Sequence, residues 1–291
     1  MTLNKGTDKY FALQGLEKPG GGKEADMFYK IYNNNSKEWV LLIHGLGGSI
    51  NTWKYQIRDF NSYNVLAVDL EGHGGSEFIR EKHLLTRSAY EINDILEKEN
   101  IDKVHIISLS LGTLVAMEFA YSFPEKVRSI VLAGFVMNMN FGFKTLLAFV
   151  EGLKYVIPKE FFYPMFANIM MPCKNHKKSR DFFIRESFKM KSVAFRMWLS
   201  ELFRAQYKLK DYIKVIRENQ LPVYLISGKQ DYFFTGSVRR TQKKISDSTL
   251  SFIEKCGHVC SIEKHDIFNE MVIRFLNGIS SSESKSIQAA Y

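Results

Sequence analysis

Five short segments of this chain are apolar on both faces, and longer amphipathic stretches separate them. The segments are WVLLIHG (39–45), YNVLAVD (63–69), KVHIISLS (103–110), VRSIVLAG (127–134) and LPVYLISG (221–228). Strands without a polar face are typical of a parallel sheet that helices cover on both sides. The repetition of strand, helix and strand therefore predicts an α/β fold with a doubly wound, mostly parallel sheet.

The ends of the chain depart from this alternation. YFALQ, MFYKIY and the turn-rich NNNS precede the first buried strand, and we expect antiparallel edge strands there. Thr86 is predicted to cap the helix that follows the second strand. A last helix over residues 262–277 is predicted to stop at Gly278, and the Ser-rich residues 280–291 are predicted to be a disordered tail.

The alternation is interrupted once, after the fourth buried strand. About 75 residues replace the short connection expected there. They contain many Phe and Met residues, and their apolar residues recur at helical spacing. This insertion leaves the sheet at the C-terminal end of a strand, where open α/β sheets place their ligand sites. We therefore predict a helical cap, or lid, at residues 135–210, above a core domain formed by residues 1–134 and 211–279.

Basic residues concentrate in the predicted cap. The chain has a formal net charge of +9, and residues 135–210 hold 14 Lys and Arg against 5 Asp and Glu, while the remainder balances at 26 against 26. An amphiphilic or anionic ligand, a membrane surface and an ordinary solvated exterior all fit this pattern. We expect no nucleic-acid partner, and peripheral membrane contact through the basic cap stays open.

The cysteines and the apolar runs indicate the compartment. Three cysteines do not make a disulfide framework, so free thiols are expected. No stretch reaches the roughly 18 unbroken apolar residues that cross a bilayer, and the start, MTLNKGTDKY, lacks the basic-then-apolar order of a secretory signal. These observations predict a cytoplasmic location.

SLSLG (108–112) lies where the third buried strand is predicted to become a helix. A tight strand–turn–helix junction strains its central residue and tolerates only small neighbours, so it would lift Ser110 clear of the sheet edge. Ser108 replaces the more usual first glycine without changing this steric logic. The pattern indicates a nucleophile, and a serine-rich helix cap is the alternative.

The glycine-rich segment HGLGGS (44–49) follows the first long buried strand. Its turn can direct the backbone N–H of Leu46 to the space reached by the N–H of Leu111, and two such donors would form an oxyanion hole. A phosphate cradle is disfavoured because no GK[ST] follows and the segment is not GxGxxG. His44 is expected to hold the loop.

Two further side chains are predicted to reach Ser110 from neighbouring strand ends. Asp231 comes just beyond the fifth buried strand, and His258 follows after one predicted helix and one strand. One helix–strand unit brings both loops to the same edge of the sheet, and Asp247 is a second choice for the acid. Metal binding by His258 with Cys256 and Cys260 is disfavoured, because such short spacings crowd tetrahedral ligands.

Several motifs together resemble the α/β-hydrolase fold superfamily, in particular its capped serine hydrolases of the esterase or lipase kind. HGLGG, DLEGHGGS (69–76), SLSLG, GKQD and GHVCSIEK occur in the family's order within residues 39–277. The resemblance implies that Ser110 is the nucleophile, His258 the general base, and Asp231 the acid that orients the imidazole. It implies no metal or organic cofactor, and structural roles for Asp69 and His73.

We therefore expect a serine hydrolase that cleaves a carboxylic ester with a hydrophobic part through an acyl-enzyme intermediate. Phe135, Phe141 and Phe166 are predicted to bind the substrate. Apolar cap residues that could line a pocket or simply pack are Phe141, Phe143, Phe149, Phe161, Phe162, Met165, Phe166, Met170 and Met171. A thioesterase or acyltransferase with the same triad is one alternative, and a ligand receptor of low turnover is another.

Overall fold

The computed structural model describes residues 27–78, 83–139, 141–153, 155–156, 158–245 and 248–289. Over these residues the core is a seven-stranded sheet of order β1-β3-β2-β4-β5-β6-β7. The strands are β1 (Tyr29–Tyr32), β2 (Trp39–Ile43), β3 (Asn64–Val68), β4 (Val104–Leu109), β5 (Val127–Ala133), β6 (Val223–Gly228) and β7 (Ser248–Ile253). Strands β2 to β7 run parallel, and β1 pairs antiparallel with β3 at one edge.

Helices flank the sheet and fill the long connection between β5 and β6. They are α1 (Lys54–Asp59), α2 (Leu84–Lys98), α3 (Gly112–Ser122), α4 (Phe141–Leu153), α5 (Lys159–Met170), α6 (Lys177–Lys189), α7 (Ser192–Ala205), α8 (Leu209–Glu218), α9 (Thr235–Gln242), α10 (Cys260–Glu263) and α11 (His265–Ala289). Helices α4 to α7 occupy the region where the sequence predicts the cap, whose boundaries stay a prediction. Within the described part of the chain, no helix combines the length and apolar character needed to cross a membrane.

The predicted doubly wound, mostly parallel sheet is confirmed. The five segments that are apolar on both faces form β2 to β6, and β3 and β6 are buried along their whole lengths. MFYKIY supplies the antiparallel edge strand β1, with Tyr29 opposite Val68. YFALQ lies outside the described residues.

The predicted cap of α2 is wrong. This helix begins at Leu84, after His83 in a left-handed conformation with φ 65°. The Thr86 hydroxyl instead donates to a carboxylate oxygen of Glu118 at 2.7 Å. The Thr86 hydroxyl is therefore hydrogen-bonded to a buried carboxylate on a neighbouring helix and does not cap α2.

The predicted C-terminal boundary at Gly278 is also wrong. Residues 262–277 belong to two helices, α10 and α11, and α11 continues to Ala289 through residues predicted to be a disordered tail. A side chain added at Gly278 would meet nothing within 4 Å, so the helix passes this glycine in open space. One glycine inside a helix costs only about 1 kcal/mol, which does not require the helix to end.

Candidate active site

Ser110 occupies a sharp turn between β4 and α3. Its φ is 53°, the left-handed strained conformation expected of the central residue of such a junction. Its N–H donates to the backbone oxygen of Ala133 at 2.9 Å. Gly112 allows the close approach of strand β2, since an added Cβ would lie 2.4 Å from the backbone oxygen of Ile43. Ser108 is buried, and its hydroxyl donates to Val131 at 2.9 Å.

The loops that carry Asp231 and His258 follow β6 and β7 and touch each other. A Cβ at Gly228 would lie 2.1 Å from the backbone oxygen of Gly257, so only glycine allows this approach. Asp231 is fully buried and His258 is 7% exposed. The aromatic ring of Phe234 packs against the imidazole, with ring centroids 5.3 Å apart.

These loops bring the three predicted side chains into one hydrogen-bonded line. An oxygen of the Asp231 carboxylate lies 2.9 Å from His258 Nδ1, and His258 Nε2 lies 2.9 Å from Ser110 Oγ. The carboxylate can only accept, so Nδ1 carries the proton and Nε2 is free to accept the serine proton. The arrangement can therefore activate a serine hydroxyl for attack on an electrophilic carbon.

The glycine-rich loop packs directly against the Ser110 turn. A Cβ at Gly45 would lie 3.0 Å from Ser110 Cβ. His44 fixes the base of the loop, because its Nδ1–H donates to the Gly45 oxygen at 2.8 Å while its Nε2 accepts the N–H of Leu70 at 3.0 Å. Burial lowers the pKa of His44, which keeps the ring neutral for both bonds.

The peptide between Leu46 and Gly47 is held from both ends. Gly47 N–H donates to His73 Nε2 at 3.0 Å, and the hydroxyl of Tyr163, from helix α5, donates to the Leu46 oxygen at 2.6 Å. Burial lowers the pKa of His73 well below its ordinary value and raises that of Tyr163. Both groups therefore stay neutral and keep their hydrogen-bonding roles.

Asp69 has a structural position beneath the same loop. Its two carboxylate oxygens accept the N–H groups of Ile50 and Gly75, at 2.6 and 2.8 Å. Gly74 has a φ of 50°, and a Cβ there would lie 2.0 Å from the carboxylate. Asp69 thus joins the loop after β2 to the turn after β3.

A small, mostly apolar cavity of about 40 Å³ adjoins Ser110 and His258. Its lining consists of Leu46, Leu109, Ser110, Tyr163, Phe166, Ala167, Met170, Met171, Phe183, His258 and Val259. Helices α5 and α6 supply one side of it. Among these described lining residues there is no lysine, arginine or carboxylate, so the cavity suits an uncharged group.

The predicted substrate residues are not all at this cavity. Phe166 lines it, whereas Phe135 is fully buried and is not among the lining residues described. Phe141 begins α4, and its side chain lies outside the described part of the chain. Sequence reasoning missed Tyr163 and Phe183, since helical periodicity does not say which face of a cap helix meets the site.

The remaining predicted groups lie around the site or outside the described residues. Leu46 lines the cavity, and Leu111 follows Ser110 at the start of α3 and is buried. Cys256 and Cys260 are free, buried thiols, and burial raises the pKa of both. Asp247 belongs to the part of the chain that the structure does not describe.

Among the residues that the structure describes, one group of side chains has atoms that could bind a metal. Asp59, His265 and Asp266 bring one ligand atom each within 4.8 Å of one another. The Asp59 carboxylate already accepts two hydrogen bonds from Arg58, at 2.5 and 2.9 Å, so cation binding would compete with this guanidinium. No function is assigned to this group.

The fold and the Ser110 site define a chain of the α/β-hydrolase class. The family model for the alpha/beta hydrolase fold matches residues 38–265, and the chain belongs to this family. It is 23% identical to a Bacillus subtilis protein assigned as a 2-succinyl-6-hydroxy-2,4-cyclohexadiene-1-carboxylate synthase, over 84% of this chain and 92% of that protein. It is 26% identical to a 2-hydroxy-6-oxononadienedioate/2-hydroxy-6-oxononatrienedioate hydrolase of Pseudomonas putida, over 94% and 97% respectively.

Solved structures share the architecture. A structure from work on carboxylesterases of the ammonia-oxidizing thaumarchaeon Nitrososphaera gargenis superposes with a TM-score of 0.75 at 20% identity. The match covers 88% of this chain and 96% of that one. At this identity the likeness shows the fold, and the resemblance predicted from the motifs is confirmed at the level of the family.

Proposed function

We propose that this protein is a serine hydrolase that cleaves a carboxylic ester with an uncharged, hydrophobic acyl group. The observation that carries the proposal is the hydrogen-bonded line from Asp231 through His258 to Ser110. Ser110 Oγ attacks the ester carbonyl while His258 Nε2 takes its proton, and Asp231 stabilises the imidazolium. The oxyanion is bound by the N–H groups of Leu46 and Leu111.

The second half of the reaction uses the same groups. The imidazolium of His258 gives its proton to the departing alcohol, which leaves an acyl group on Ser110. Water then attacks the acyl-enzyme with His258 again as the base, and Ser110 is regenerated with release of the acid. No other group is needed to balance the protons.

The lining of the cavity supports the choice of an uncharged acyl group. The Pseudomonas putida relative is named for a dioate, a substrate with two carboxylates. A carboxylate buried against Met170, Met171 and Phe183 would lose its hydration without gaining a cation, at a cost of several kcal/mol. An alkyl or aryl acyl group gains from the same surroundings.

The small size of the cavity means that side chains around it must move when an acyl chain binds. A volume of about 40 Å³ has room for only a few water molecules, so a long acyl chain requires movement of side chains in α5. Phe166, Met170 and Met171 are suited to this, because methionine in particular adapts its shape at low cost. The proposed enzyme therefore admits its substrate by local repacking of α5.

Hydrolysis of a series of p-nitrophenyl esters, from acetate to laurate, tests the proposal. We expect turnover to rise beyond acetate, and Ser110→Ala to lower kcat by about three orders of magnitude or more. Ser108→Ala, which removes a buried hydroxyl from the same motif, is the matched control and should retain most activity. Best activity on acetate would contradict the hydrophobic acyl site. Transfer of the acyl group to an added alcohol or thiol in preference to water would identify an acyltransferase instead.

A further inference from the structure

The outer surface of the predicted cap exposes large apolar side chains close together in the chain. Tyr155 and Val156, between α4 and α5, are 77% and 74% exposed, and Phe161 of α5 is 75% exposed. Met165, one helical turn beyond Phe161 and on the same face of α5, is 49% exposed. Apolar surface grouped in this way marks a site of interaction more often than a single exposed side chain does.

The C-terminal end of α6 adjoins this group. Lys159 Nζ, in the first turn of α5, donates to the backbone oxygens of Ser187 and Phe188, at 3.1 Å each. The contact holds Phe188, which is 49% exposed, beside the start of α5. We name the following set the outer apolar face: Tyr155, Val156, Phe161, Met165 and Phe188.

Cationic side chains border the outer apolar face. Lys189 and Lys191 follow Phe188 closely and are exposed. The Arg196 guanidinium lies 5.5 Å from the centroid of the Tyr155 ring. The adjacent carboxylates are partly neutralised, because Glu160 lies 3.5 Å from Lys159 and Glu186 accepts from Lys189 at 2.6 Å. The segment that carries the face, residues 135–210, has 14 basic against 5 acidic residues and so a net positive charge.

Helix α5 separates the outer apolar face from the cavity at Ser110. Tyr163, Phe166 and Met170 line the cavity on one side of the helix, while Phe161 and Met165 are exposed on the other. A helix that is apolar on both sides is normally buried on both. The exposed side of α5 is therefore suited to contact with another apolar surface.

We propose that the outer apolar face docks on a membrane surface that contains anionic phospholipid. Phe161, Met165 and the neighbouring aromatic side chains enter the boundary between headgroups and acyl chains, while Lys191 approaches the phosphates. The charge of the surroundings selects an anionic surface over a neutral one. Delivery of an acyl ester from that surface past α5 to Ser110 rests on the proposed function, but the docking does not.

Vesicle flotation tests the docking directly. The full chain is floated with vesicles of phosphatidylcholine alone, or of phosphatidylcholine mixed with phosphatidylglycerol. We expect binding to the mixed vesicles that weakens as salt is added. The double variant Phe161→Ser, Met165→Ser should bind about tenfold more weakly, and Lys191→Gln about fivefold more weakly.

Matched variants outside the cap serve as controls. Ile267→Ser removes another exposed apolar side chain, 47% exposed on α11, and Lys243→Gln removes an exposed lysine after α9. Both should bind the mixed vesicles as the unchanged protein does. Equal loss of binding in the controls and the cap variants would overturn the proposal, as would no binding to either kind of vesicle.

Two further measurements distinguish docking on lipid from misfolding of the variants and from self-association. The double variant should hydrolyse a short soluble ester as the unchanged protein does, and Ser110→Ala should still bind vesicles. Sedimentation velocity tests self-association: dimers that the double variant abolishes, without vesicle binding, would assign the outer apolar face to a second copy of the chain and overturn the lipid proposal. Vesicle binding by a chain without hydrolytic activity would contradict the proposed function and leave the docking supported.

Discussion

Tyr163 connects helix α5 to the glycine-rich loop through a hydrogen bond, 2.6 Å long, to the backbone oxygen of Leu46. Gly47, on the other side of that peptide bond, has a φ of 74°, and a Cβ there would lie 2.6 Å from the Tyr163 hydroxyl. The Tyr163 side chain therefore packs so closely on the glycine-rich loop that a side chain at position 47 would clash with it. In the proposed mechanism Tyr163 is a positioning residue for the Leu46 N–H.

Tyr163→Phe should lower kcat by about tenfold while KM changes little. Loss of an oxyanion-hole donor costs about a hundredfold or more, and loss of the support for that donor costs less. Tyr207→Phe, at a side chain that is 78% exposed, is the control and should leave both constants unchanged. A rise in KM at constant kcat would instead make Tyr163 a residue of substrate binding.

The buried histidines His44 and His73 make stability depend on pH. Burial lowers the pKa of each, and the proximity of His44 further lowers that of His73. The unfolded chain takes up protons on both rings near pH 6.5, but the folded chain does not. Their contribution is therefore fully present above about pH 6.5 and is lost as the pH falls below it.

The free energy of unfolding in urea should accordingly fall between about pH 6.5 and pH 5.5, by up to about 1.4 kcal/mol per pH unit for each histidine. His73→Gln should make this dependence less steep. His83→Asn, at an exposed histidine whose left-handed backbone asparagine tolerates, should keep it unchanged. An equally steep profile in His73→Gln would show that other groups cause the loss.

At the residue scale, site residues can be predicted from the sequence when a local motif sets their position. Ser110, Asp231 and His258 could be predicted because each follows a strand of the parallel part of the sheet, and parallel strands end at one edge of the sheet. Tyr163 could not, because it meets Leu46 from 117 positions away and nothing in the helical pattern of the cap sets that contact.

At the scale of elements, Glu118 joins helix α3 to its neighbours. The carboxylate is fully buried and accepts from Thr86 of α2, from Tyr212 of α8 and from Lys208, whose Nζ lies 3.1 Å from both oxygens. Helix α3 begins beside Ser110, so these contacts fix the helix that carries the nucleophile turn. The turn between α7 and α8 is fixed to it through Lys208.

Glu118→Ala should lower the free energy of unfolding by about 3–5 kcal/mol, because it leaves buried partners without an acceptor. Equilibrium unfolding in urea measures the change. Glu254→Ala, at an exposed carboxylate paired with Lys229, is the control and should change stability by no more than about 0.5 kcal/mol. A loss below about 1 kcal/mol for Glu118→Ala would mean that water replaces the carboxylate in the network.

The elements themselves could be predicted to different degrees. The strands β2 to β6 could be predicted because both faces of each strand are apolar, and this is visible in the sequence. The start of α2 could not be predicted, because the Thr86 hydroxyl is taken by Glu118 from 32 positions away. The predicted end of α11 at Gly278 is wrong because one glycine inside a helix costs too little to end it.

At the scale of the whole molecule, the sheet and helix α5 form different parts of the site. The sheet brings Ser110, Asp231 and His258 together at its C-terminal edge, while α5 closes the cavity above them. The same helix carries part of the outer apolar face. Substrate access and the proposed contact with lipid therefore depend on one element, and its displacement would affect both.

The most direct test of the proposed triad is reaction of the full chain with a fluorophosphonate, followed by mass spectrometry of the modified peptide. Attack by an activated serine predicts rapid, single modification at Ser110, no modification in Ser110→Ala, and much slower modification in Asp231→Asn, where about four orders of magnitude are lost in comparable triads. Unmodified protein, or modification at another serine at the same rate in Ser110→Ala, would contradict the claim that Asp231, His258 and Ser110 act as a catalytic triad.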